Sequence, residues 1–274
     1  MTRVVLFVRK LLAFLWRDCV NESSYKLSLF LEFIGVFVST VTFFFLSKVL
    51  GEVGVSYLKP YGGNYFSFIL IGVAFFSYLK ISIDGISKSI REGQMLGTLE
   101  ALLVTQTGIP TIIISSSLYS FMFASFKVAV YLLLGVFAFG VDMGNANFPG
   151  ALLILFLTII SFSSFGILSA SFIMVYKKGD PVSAIFTSVS GILGGVFYPV
   201  SVLPGWLQKL SHVLPVTDAL EGMRLALLQG YSLKALMPNI LSLTLFSIIM
   251  LPISLFIFAY AVKRAKIDGT LTQY

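Results

Sequence analysis

The sequence predicts an all-α, polytopic membrane protein, and two features of the composition predict it. Of the 274 residues, 57% are hydrophobic and only 11% are charged, whereas a soluble domain carries about 25% charged residues. Long uncharged stretches occur at 60–79, 101–126, 143–176, 181–208 and 235–262, and a further stretch, 28–47, is interrupted only by Glu32. Because a spanning helix needs about 20 apolar residues, we predict six transmembrane helices within a single domain, 1–274.

The six predicted spans lie at 27–47, 64–83, 109–137, 150–173, 182–198 and 236–261. Their orientation follows from the Lys and Arg residues between them, because basic residues collect in cytoplasmic loops. With both termini inside, the cytoplasmic side holds thirteen of these residues and the outer side five. We therefore predict a multi-pass protein of the cytoplasmic membrane with both ends in the cytoplasm.

Residues 1–18 predict a helix that lies in the membrane interface. At 100° per residue, Arg3, Lys10 and Arg17 form one basic stripe, and the apolar residues lie largely on another face. Such a helix places its basic stripe toward lipid phosphates and its apolar side into the membrane. The alternative is that this segment is simply the start of the first spanning helix.

The segment 199–230, between the fifth and sixth spans, is apolar although Pro199, Pro204 and Pro215 interrupt it. Prolines break helices, and a water-exposed loop would be more polar. Short helices that re-enter the outer leaflet explain both properties. An ordinary surface loop with a few membrane-touching residues is the alternative.

The segment 91–105, between the second and third spans, is predicted to be cytoplasmic and helical. Ser89 and Glu92 have the spacing of a capping box, which would start a helix here. A short amphipathic helix at this face could dock into a groove on a soluble partner.

Two stretches of the chain resemble the ABC-2 type permeases, the membrane subunits of many bacterial ATP-binding-cassette exporters. The first is Arg91-Glu92-x-x-x-x-Gly97-Thr98-Leu99-Glu100-x-Leu102-Leu103-x-Thr105, which is similar to the coupling-helix segment of the family. The second runs from Phe197-Tyr198-Pro199 through Leu203-Pro204-x-Trp206-Leu207 to Pro215-x-Thr217-x-x-x-Glu221-x-x-Arg224 and Gly230, and it looks like the outer re-entrant segment of the family. One departure is Gln106, where many relatives have proline; here Pro110 follows four residues later.

The resemblance implies the permease subunit of an exporter that works as a dimer, with each copy joined to a separate cytoplasmic ATPase. No phosphate-binding loop occurs in the sequence, so ATP and Mg²⁺ are expected on that partner, and this chain is expected to hold no cofactor or metal and to catalyse no reaction by itself. Its other expected partners are a second permease copy, or a homologous permease, and membrane lipids. The family's substrates include drugs, lipids and lipid-linked glycans, and its members belong to bacterial or archaeal cytoplasmic membranes.

The residues that would contact the ATPase follow from the same resemblance. They are Arg91, Glu92, Thr98, Leu99, Glu100 and Leu103. The carboxylates of Glu92 and Glu100 are candidates for pairing with basic residues of the ATPase. Otherwise they are solvated charges beside the membrane, which contribute little.

Two charged residues, Glu32 and Lys127, fall well inside predicted spans and are therefore candidates for function. Glu32 would lie about 8 Å into the first span and Lys127 about 27 Å into the third, at 1.5 Å per residue. These depths predict no direct pair between them in untilted helices. Glu32 would then reach cytoplasmic water, and Lys127 would either extend to the outer interface or bind an anionic lipid or substrate group.

Four further residues are candidates for packing or gating. Gly191 and Gly195 have the spacing that lets helices approach closely, and the family likeness places this contact at the dimer interface, although a contact within one chain is the alternative. Glu221 and Arg224 follow Pro215 on the outer side and either gate substrate release or form a local helical salt bridge.

Two other classes of function compete with the exporter. A secondary transporter or channel would act without an ATPase, but it usually needs ionisable residues deep in its spans or an internal repeat. A membrane-embedded enzyme would need a metal cluster or a nucleophile with its base. A single cysteine, Cys19, and a single histidine, His212, offer little material for such a site.

Overall fold

The computed structural model describes residues 3–50, 55–98, 109–176 and 180–267, and the regular structure within these ranges is helical. The helices are α1 (Arg3–Ser23), α2 (Lys26–Leu50), α3 (Val55–Leu58), α4 (Tyr65–Met95), α5 (Ile109–Leu133), α6 (Phe148–Tyr176), α7 (Pro181–Leu193), α8 (Gly205–Ser211), α9 (Pro215–Gln229) and α10 (Met237–Ile267). Short 3₁₀-helices occur at Lys59–Tyr61 and Val200–Val202, and a π-helical turn, Leu134–Ala138, continues α5.

Five of the described helices are long and apolar enough to cross a membrane: α2, α4, α5 with its π-helical turn, α6 and α10. They coincide with the first four predicted spans and the sixth. The prediction of an all-helical, multi-pass membrane protein is therefore confirmed. Helix α4 is longer than its predicted span, because it continues from residue 83 to Met95.

The fifth predicted span, 182–198, is shorter in the structure. Helix α7 has 13 residues, which is about 20 Å at 1.5 Å per residue, and a bilayer core is about 30 Å thick. The helix ends because Gly195 adopts a φ of +74°, a left-handed conformation that side chains rarely take. An apolar run cannot reveal this turn.

Helix α4 forms the centre of the bundle. It packs against α5, α6, α7 and α9, while α10 packs chiefly against α6. Buried side chains form two cores along α4. The first surrounds Ile71 and Tyr78, and the second surrounds Ile86 and Ile90 near the end of the helix.

The N-terminal segment forms a helix of its own. The helical structure is interrupted between Ser23 and Lys26, so α1 is not the first part of the helix that spans the membrane, and it packs along the start of α5. That α1 lies in the membrane interface stays a prediction.

The predicted helix start at Ser89 and Glu92 is wrong. Both residues lie inside α4, which continues to Met95, and Gly97 then adopts a φ of +67°. The preceding turns are already helical, and their carbonyl groups accept hydrogen bonds from the backbone N–H groups of these residues. No capping box is needed to satisfy these donors.

Candidate functional site

Polar residues collect at two opposite ends of the bundle. One end, here the α1 end, is built from α1, the last turns of α4 and the first turns of α5. The other, here the α9 end, is built from α8, α9, the start of α4 and the turn after α7.

At the α1 end, α1 and the end of α4 border a cavity of about 130 Å³. Its lining includes Arg17, Asp18 and Asn21 from α1 and Glu92 from α4. The Arg17 guanidinium lies 2.7 Å from Asp18. This arrangement brings the predicted interfacial helix beside the start of the predicted coupling segment.

The structure describes only part of that segment. Arg91 and Glu92 are exposed on the last turns of α4, and the Glu92 carboxylate lies 3.7 Å from the Lys88 ammonium. Thr98 is exposed, and its hydroxyl donates to the Gly93 carbonyl at 3.5 Å. The other predicted coupling residues, Leu99, Glu100 and Leu103, lie outside the described residues.

The two charged residues within the spans form an ion pair, so the prediction that they lie too far apart is wrong. The Lys127 ammonium nitrogen is 3.2 Å from a carboxylate oxygen of Glu32. The predicted depth of Lys127 assumes that α5 begins at the membrane boundary. In the structure, the first turns of α5 instead lie beside α1. Ser120 of α5 lines the same cavity as Arg17 and Asp18, and Lys127 is only two turns further on.

Around this ion pair, α2, α4 and α5 enclose a second cavity, of about 390 Å³, here named the lysine cavity. Its charged lining residues are Glu32, Lys80, Asp84, Lys88 and Lys127. Lys80 and Lys88 are two of the thirteen basic residues that the sequence predicts on the cytoplasmic side, and the sequence analysis does not single out Asp84. The recurrence of charge at every fourth residue from Lys80 to Lys88 was the available signal.

Two further carboxylates hold α7 in place, and sequence reasoning missed both. Asp84 of α4 accepts a hydrogen bond from the Ser183 hydroxyl. Asp180 caps α7 by accepting from the Ser183 backbone N–H at 3.0 Å, and it also accepts from the Ser169 hydroxyl of α6. An Asp directly before a Pro is a typical helix start, so the cap could have been predicted, but its contact with α6 could not.

At the α9 end, Arg224 is buried, with 2% of its surface exposed. Its guanidinium donates to the backbone carbonyls of Gly195 at 2.8 Å, Val196 at 3.0 Å and Phe68 at 3.2 Å. It also lies 3.5 Å from the ring centroid of Phe68. The predicted local salt bridge with Glu221 is therefore wrong, because Arg224 instead ties α9 to α4 and to the turn after α7.

The backbone of α4 lies close to the turn after α7, and this allows Arg224 to reach both. A Cβ atom on Gly72 would lie 2.2 Å from the Val196 carbonyl oxygen and 2.5 Å from the Arg224 guanidinium. Burial lowers the pKa of Arg224 to about 9, so the guanidinium keeps its charge at neutral pH.

A cavity of about 230 Å³ beside Arg224 is lined by polar groups that include Tyr61, His212 and Glu221. Burial, and then the neighbouring Asp218, raise the pKa of Glu221 above its ordinary value. Burial likewise raises the pKa of Asp218, although a hydrogen bond from the Ser242 hydroxyl opposes this effect. The α9 end therefore combines a buried cation with carboxyl groups that hold their protons more tightly than usual.

The two glycines predicted to pack helices do not share a helix. Gly191 lies in α7, and a Cβ atom there would lie 3.2 Å from the Phe76 ring of α4. Gly195 lies beyond the end of α7 in the left-handed turn. Gly191 therefore packs within the chain, and a Gly-x-x-x-Gly helix face is not formed.

Comparison with known proteins gives one family and several relatives. Residues 9–228 match the family model described as ABC-2 type transporter. The chain is 26% identical over 188 residues to the inner membrane transport permease YadH of Escherichia coli, which covers 68% of this chain and 72% of that protein. It is 26% identical over 222 residues to nodulation protein J of Sinorhizobium fredii, covering 78% and 79%. It is also 26% identical over 134 residues to the probable multidrug ABC transporter permease YbhR of Escherichia coli, covering 47% and 35%.

Proposed function

Since this chain belongs to the ABC-2 type transporter family, and is therefore a membrane subunit of an ATP-binding-cassette transporter with an ATPase partner, we propose that it forms the translocation path of an exporter. The observation that carries the proposal is the family match over residues 9–228, which includes α2 to α8 in full, α1 from residue 9 onward and all but the last residue of α9. ATP and Mg²⁺ belong to the partner ATPase.

The α1 end is the side that we propose for ATPase docking. Here α1 borders the last turns of α4. A displacement of the segment 91–105 by the ATPase would therefore be transmitted to both helices. In this proposal Arg91, Glu92, Thr98, Leu99, Glu100 and Leu103 form the contact. The excess of basic residues at this end supports a cytoplasmic position for it and for both termini.

Two copies of this chain, or this chain and a homologous permease, form the translocation path in our proposal. The location is the cytoplasmic membrane of a bacterium or archaeon, which the printed name of YadH supports. The substrate is a drug, a lipid or a lipid-linked glycan. The printed name of YbhR supports the first of these classes.

The α9 end lies on the outer side in this proposal, with 199–230 as its re-entrant segment. Arg224 holds the turn at Gly195 and Val196 against α4, so a movement of α4 would be passed to α9. Glu221 borders the cavity beside Arg224 and is the proposed gate residue.

A secondary transporter or channel has less support. Glu32 and Lys127, the charged residues predicted well inside the spans, are paired with each other. Each charge is therefore neutralised by the other, and neither is left to bind a coupling ion.

The first experiment is gentle extraction of the chain from its native membrane, with identification of the proteins that co-purify. We expect a stoichiometric soluble protein with a phosphate-binding loop, together with ATP hydrolysis. Absence of such a protein, even after cross-linking in intact membranes, would favour the secondary transporter.

A variant test addresses the docking side. Glu100→Arg together with Leu103→Arg is expected to abolish co-purification of the ATPase while the protein still reaches the membrane. The matched control is Lys234→Glu, a charge reversal at an exposed residue of the α9 end. Equal amounts of ATPase on all three proteins would contradict docking at 91–105.

A further inference from the structure

We propose that Glu221 is a proton switch for the turn after α7, because its ionised carboxylate competes with backbone carbonyls for the Arg224 guanidinium. While Glu221 carries its proton, Arg224 holds the carbonyls of Gly195 and Val196, as in the structure. When the proton leaves to water, Glu221 takes over the guanidinium and the turn is released. The use of this switch at an outer gate rests on the proposed function, whereas the exchange of hydrogen-bond acceptors does not.

Arg224 is a buried cation whose hydrogen-bond acceptors are neutral. Its Nε atom donates to Phe68, Nη1 to Gly195 and Nη2 to Val196, and each acceptor is a backbone carbonyl. Among the residues that the structure describes, the ion pairs do not include Arg224. Buried charges in proteins are normally paired, and a carbonyl carries no net charge that neutralises a guanidinium. A carboxylate within reach is therefore a stronger partner than these carbonyls.

Glu221 is the carboxylate within reach. It lies three residues before Arg224 on α9, and residues at this spacing are neighbours on a helix surface, with Cβ atoms about 5–6 Å apart. Both residues line the cavity beside Arg224. In the structure, a hydrogen bond with the Asn239 side chain connects Glu221 to α10 instead. A rotation of the Glu221 side chain, with α9 in place, therefore exchanges one partner for the other.

The charge of Glu221 decides which acceptors the guanidinium prefers. An ionised carboxylate adds the attraction between opposite charges, which is larger in a site with little water than in bulk solvent. A protonated carboxyl is neutral and offers the guanidinium no more than a backbone carbonyl does. The three carbonyls therefore keep Arg224 while Glu221 is protonated, and they lose it when Glu221 ionises.

Several neighbouring elements place polar or ionisable groups around Glu221. They are Asp218 and Arg224 from α9, Tyr61 from the 3₁₀-helix Lys59–Tyr61, His212 at the end of α8 and the Asn239 amide of α10, and Tyr57 of α3 lines the same cavity. Asp218 is a like charge and opposes the ionisation of Glu221, whereas Arg224 and a protonated His212 favour it. The switch therefore responds to this cluster as a whole.

The pH range of the switch follows from two opposite shifts. Burial, and then Asp218, raise the pKa of Glu221 above its ordinary value, so Glu221 ionises at a higher pH than a carboxyl in water. Burial lowers the pKa of Arg224 to about 9, so the guanidinium is still charged when Glu221 ionises. The two opposite charges therefore coexist above the raised pKa of Glu221 and below about pH 9, and the turn is released in that range.

The released part of the turn is short. Arg224 holds two consecutive carbonyls there, those of Gly195 and Val196. The next carbonyl, that of Phe197, accepts a hydrogen bond from the Tyr65 hydroxyl at 3.1 Å and stays tied to α4. Loss of the Arg224 bonds therefore frees the end of α7 locally and opens the cavity of about 230 Å³ beside it, without separating the whole turn from α4.

The test uses the full-length chain, purified in detergent without its ATPase. Hydrogen–deuterium exchange of the backbone amides at 194–197 is measured at pH 4.5 and pH 8 for the parent and for Glu221→Gln. Comparison of the two proteins at the same pH cancels the intrinsic pH dependence of exchange. We expect the parent to exchange at least about fivefold faster than Glu221→Gln at pH 8, and about equally fast at pH 4.5, because only the parent can open the turn by ionising.

The control is Asp142→Asn, at an exposed carboxyl before α6, which should behave as the parent at both pH values. Asp218→Asn removes a charge that raises the pKa of Glu221, so the onset of faster exchange should move to lower pH. Equal exchange of the parent and Glu221→Gln at pH 8 would overturn the switch. Because neither the ATPase nor transport enters this measurement, a failure of the exporter proposal leaves these outcomes unchanged and is seen in the co-purification experiment instead.

Discussion

The Lys127 ammonium lies 3.2 Å from the Glu32 carboxylate, although 95 residues separate them in the chain. The side chain of Lys127 is 18% exposed and that of Glu32 is 43% exposed. The pair joins the first and third long helices of the bundle, α2 and α5. A membrane interior solvates a single charge poorly, so each residue lowers the free-energy cost of placing the other charge there.

We therefore expect Lys127→Met and Glu32→Gln each to destabilise the protein by about 1–2 kcal/mol, because each leaves one charge without its partner. The double variant should lose less than the sum of the two. Thermal unfolding of the detergent-solubilised proteins measures this coupling. Lys263→Met, at an exposed lysine of α10, is the control and should change stability by less than about 0.5 kcal/mol. Additive losses would show that the two side chains do not interact.

Replacing the buried Arg224 should be costly. Arg224→Met removes the donors to three backbone carbonyls, and an unsatisfied buried polar group costs about 1–3 kcal/mol, so we expect a loss of at least about 3 kcal/mol. Arg224→Lys should lie in between, since one ammonium cannot donate along the three directions of a guanidinium.

The measurement for Arg224 is again thermal unfolding, together with limited proteolysis at the turn after α7. Lys209→Met is the control, because Lys209 is exposed on α8. An unchanged unfolding temperature for Arg224→Met would contradict the assigned hydrogen bonds.

Stability should depend on pH through Glu221. Burial, and then Asp218, raise the pKa of Glu221 from its ordinary 4.5, while His212, Arg224 and Asn239 oppose this. A raised pKa in the folded state means that the protonated carboxyl contributes stability below the unfolded pKa, and that this stability is lost as pH rises through the folded pKa.

Glu221→Gln should therefore stabilise the protein at pH 8, and the gain should shrink as pH falls toward 4.5. Unfolding temperatures of the variant and the parent, measured at half-unit intervals of pH, give the difference directly. A difference that is the same at every pH would show that the carboxyl does not titrate differently on folding.

Two glycines in long helices should respond oppositely to alanine. Gly72→Ala places a Cβ atom 2.2 Å from the Val196 carbonyl oxygen, a backbone atom, whereas a Cβ atom on Gly35 of α2 meets nothing within 4 Å. We expect Gly72→Ala to destabilise by several times the roughly 0.5–1 kcal/mol that Gly35→Ala gains from helix propensity. Membrane yield and unfolding temperature check both variants. Equal behaviour would mean that α4 does not approach the turn after α7 as described.

The long helices could be predicted because hydropathy is a local property. Each uncharged stretch that forms α2, α4, α5, α6 or α10 carries enough apolar residues to be recognised without knowledge of its neighbours. The end of α7 could not be predicted in this way. It depends on the left-handed turn at Gly195 and on the Arg224 hydrogen bonds that hold the turn, and both involve distant parts of the chain.

Some residues of the candidate site could be predicted from the sequence, but their contacts could not. Lys127 and Glu32 were recognised as unusual because charges are rare in spans, yet their pairing required the position of α5 beside α1. The contact between Asp84 and Ser183 joins residues 99 apart. Spacing along one helix carries no information about such a contact.

The short α7 also has a consequence for the surrounding lipid. Its exposed residues, among them Ile185 and Ile192, offer the acyl chains about 20 Å of apolar helix, and the joint that follows is fixed by Arg224. A helix with a free end can tilt to relieve hydrophobic mismatch. Because the end of α7 is held in place, the bilayer has to change its thickness instead. The lipid beside α7 must then thin or rearrange, so acyl-chain length acts on this protein at one defined place on its perimeter.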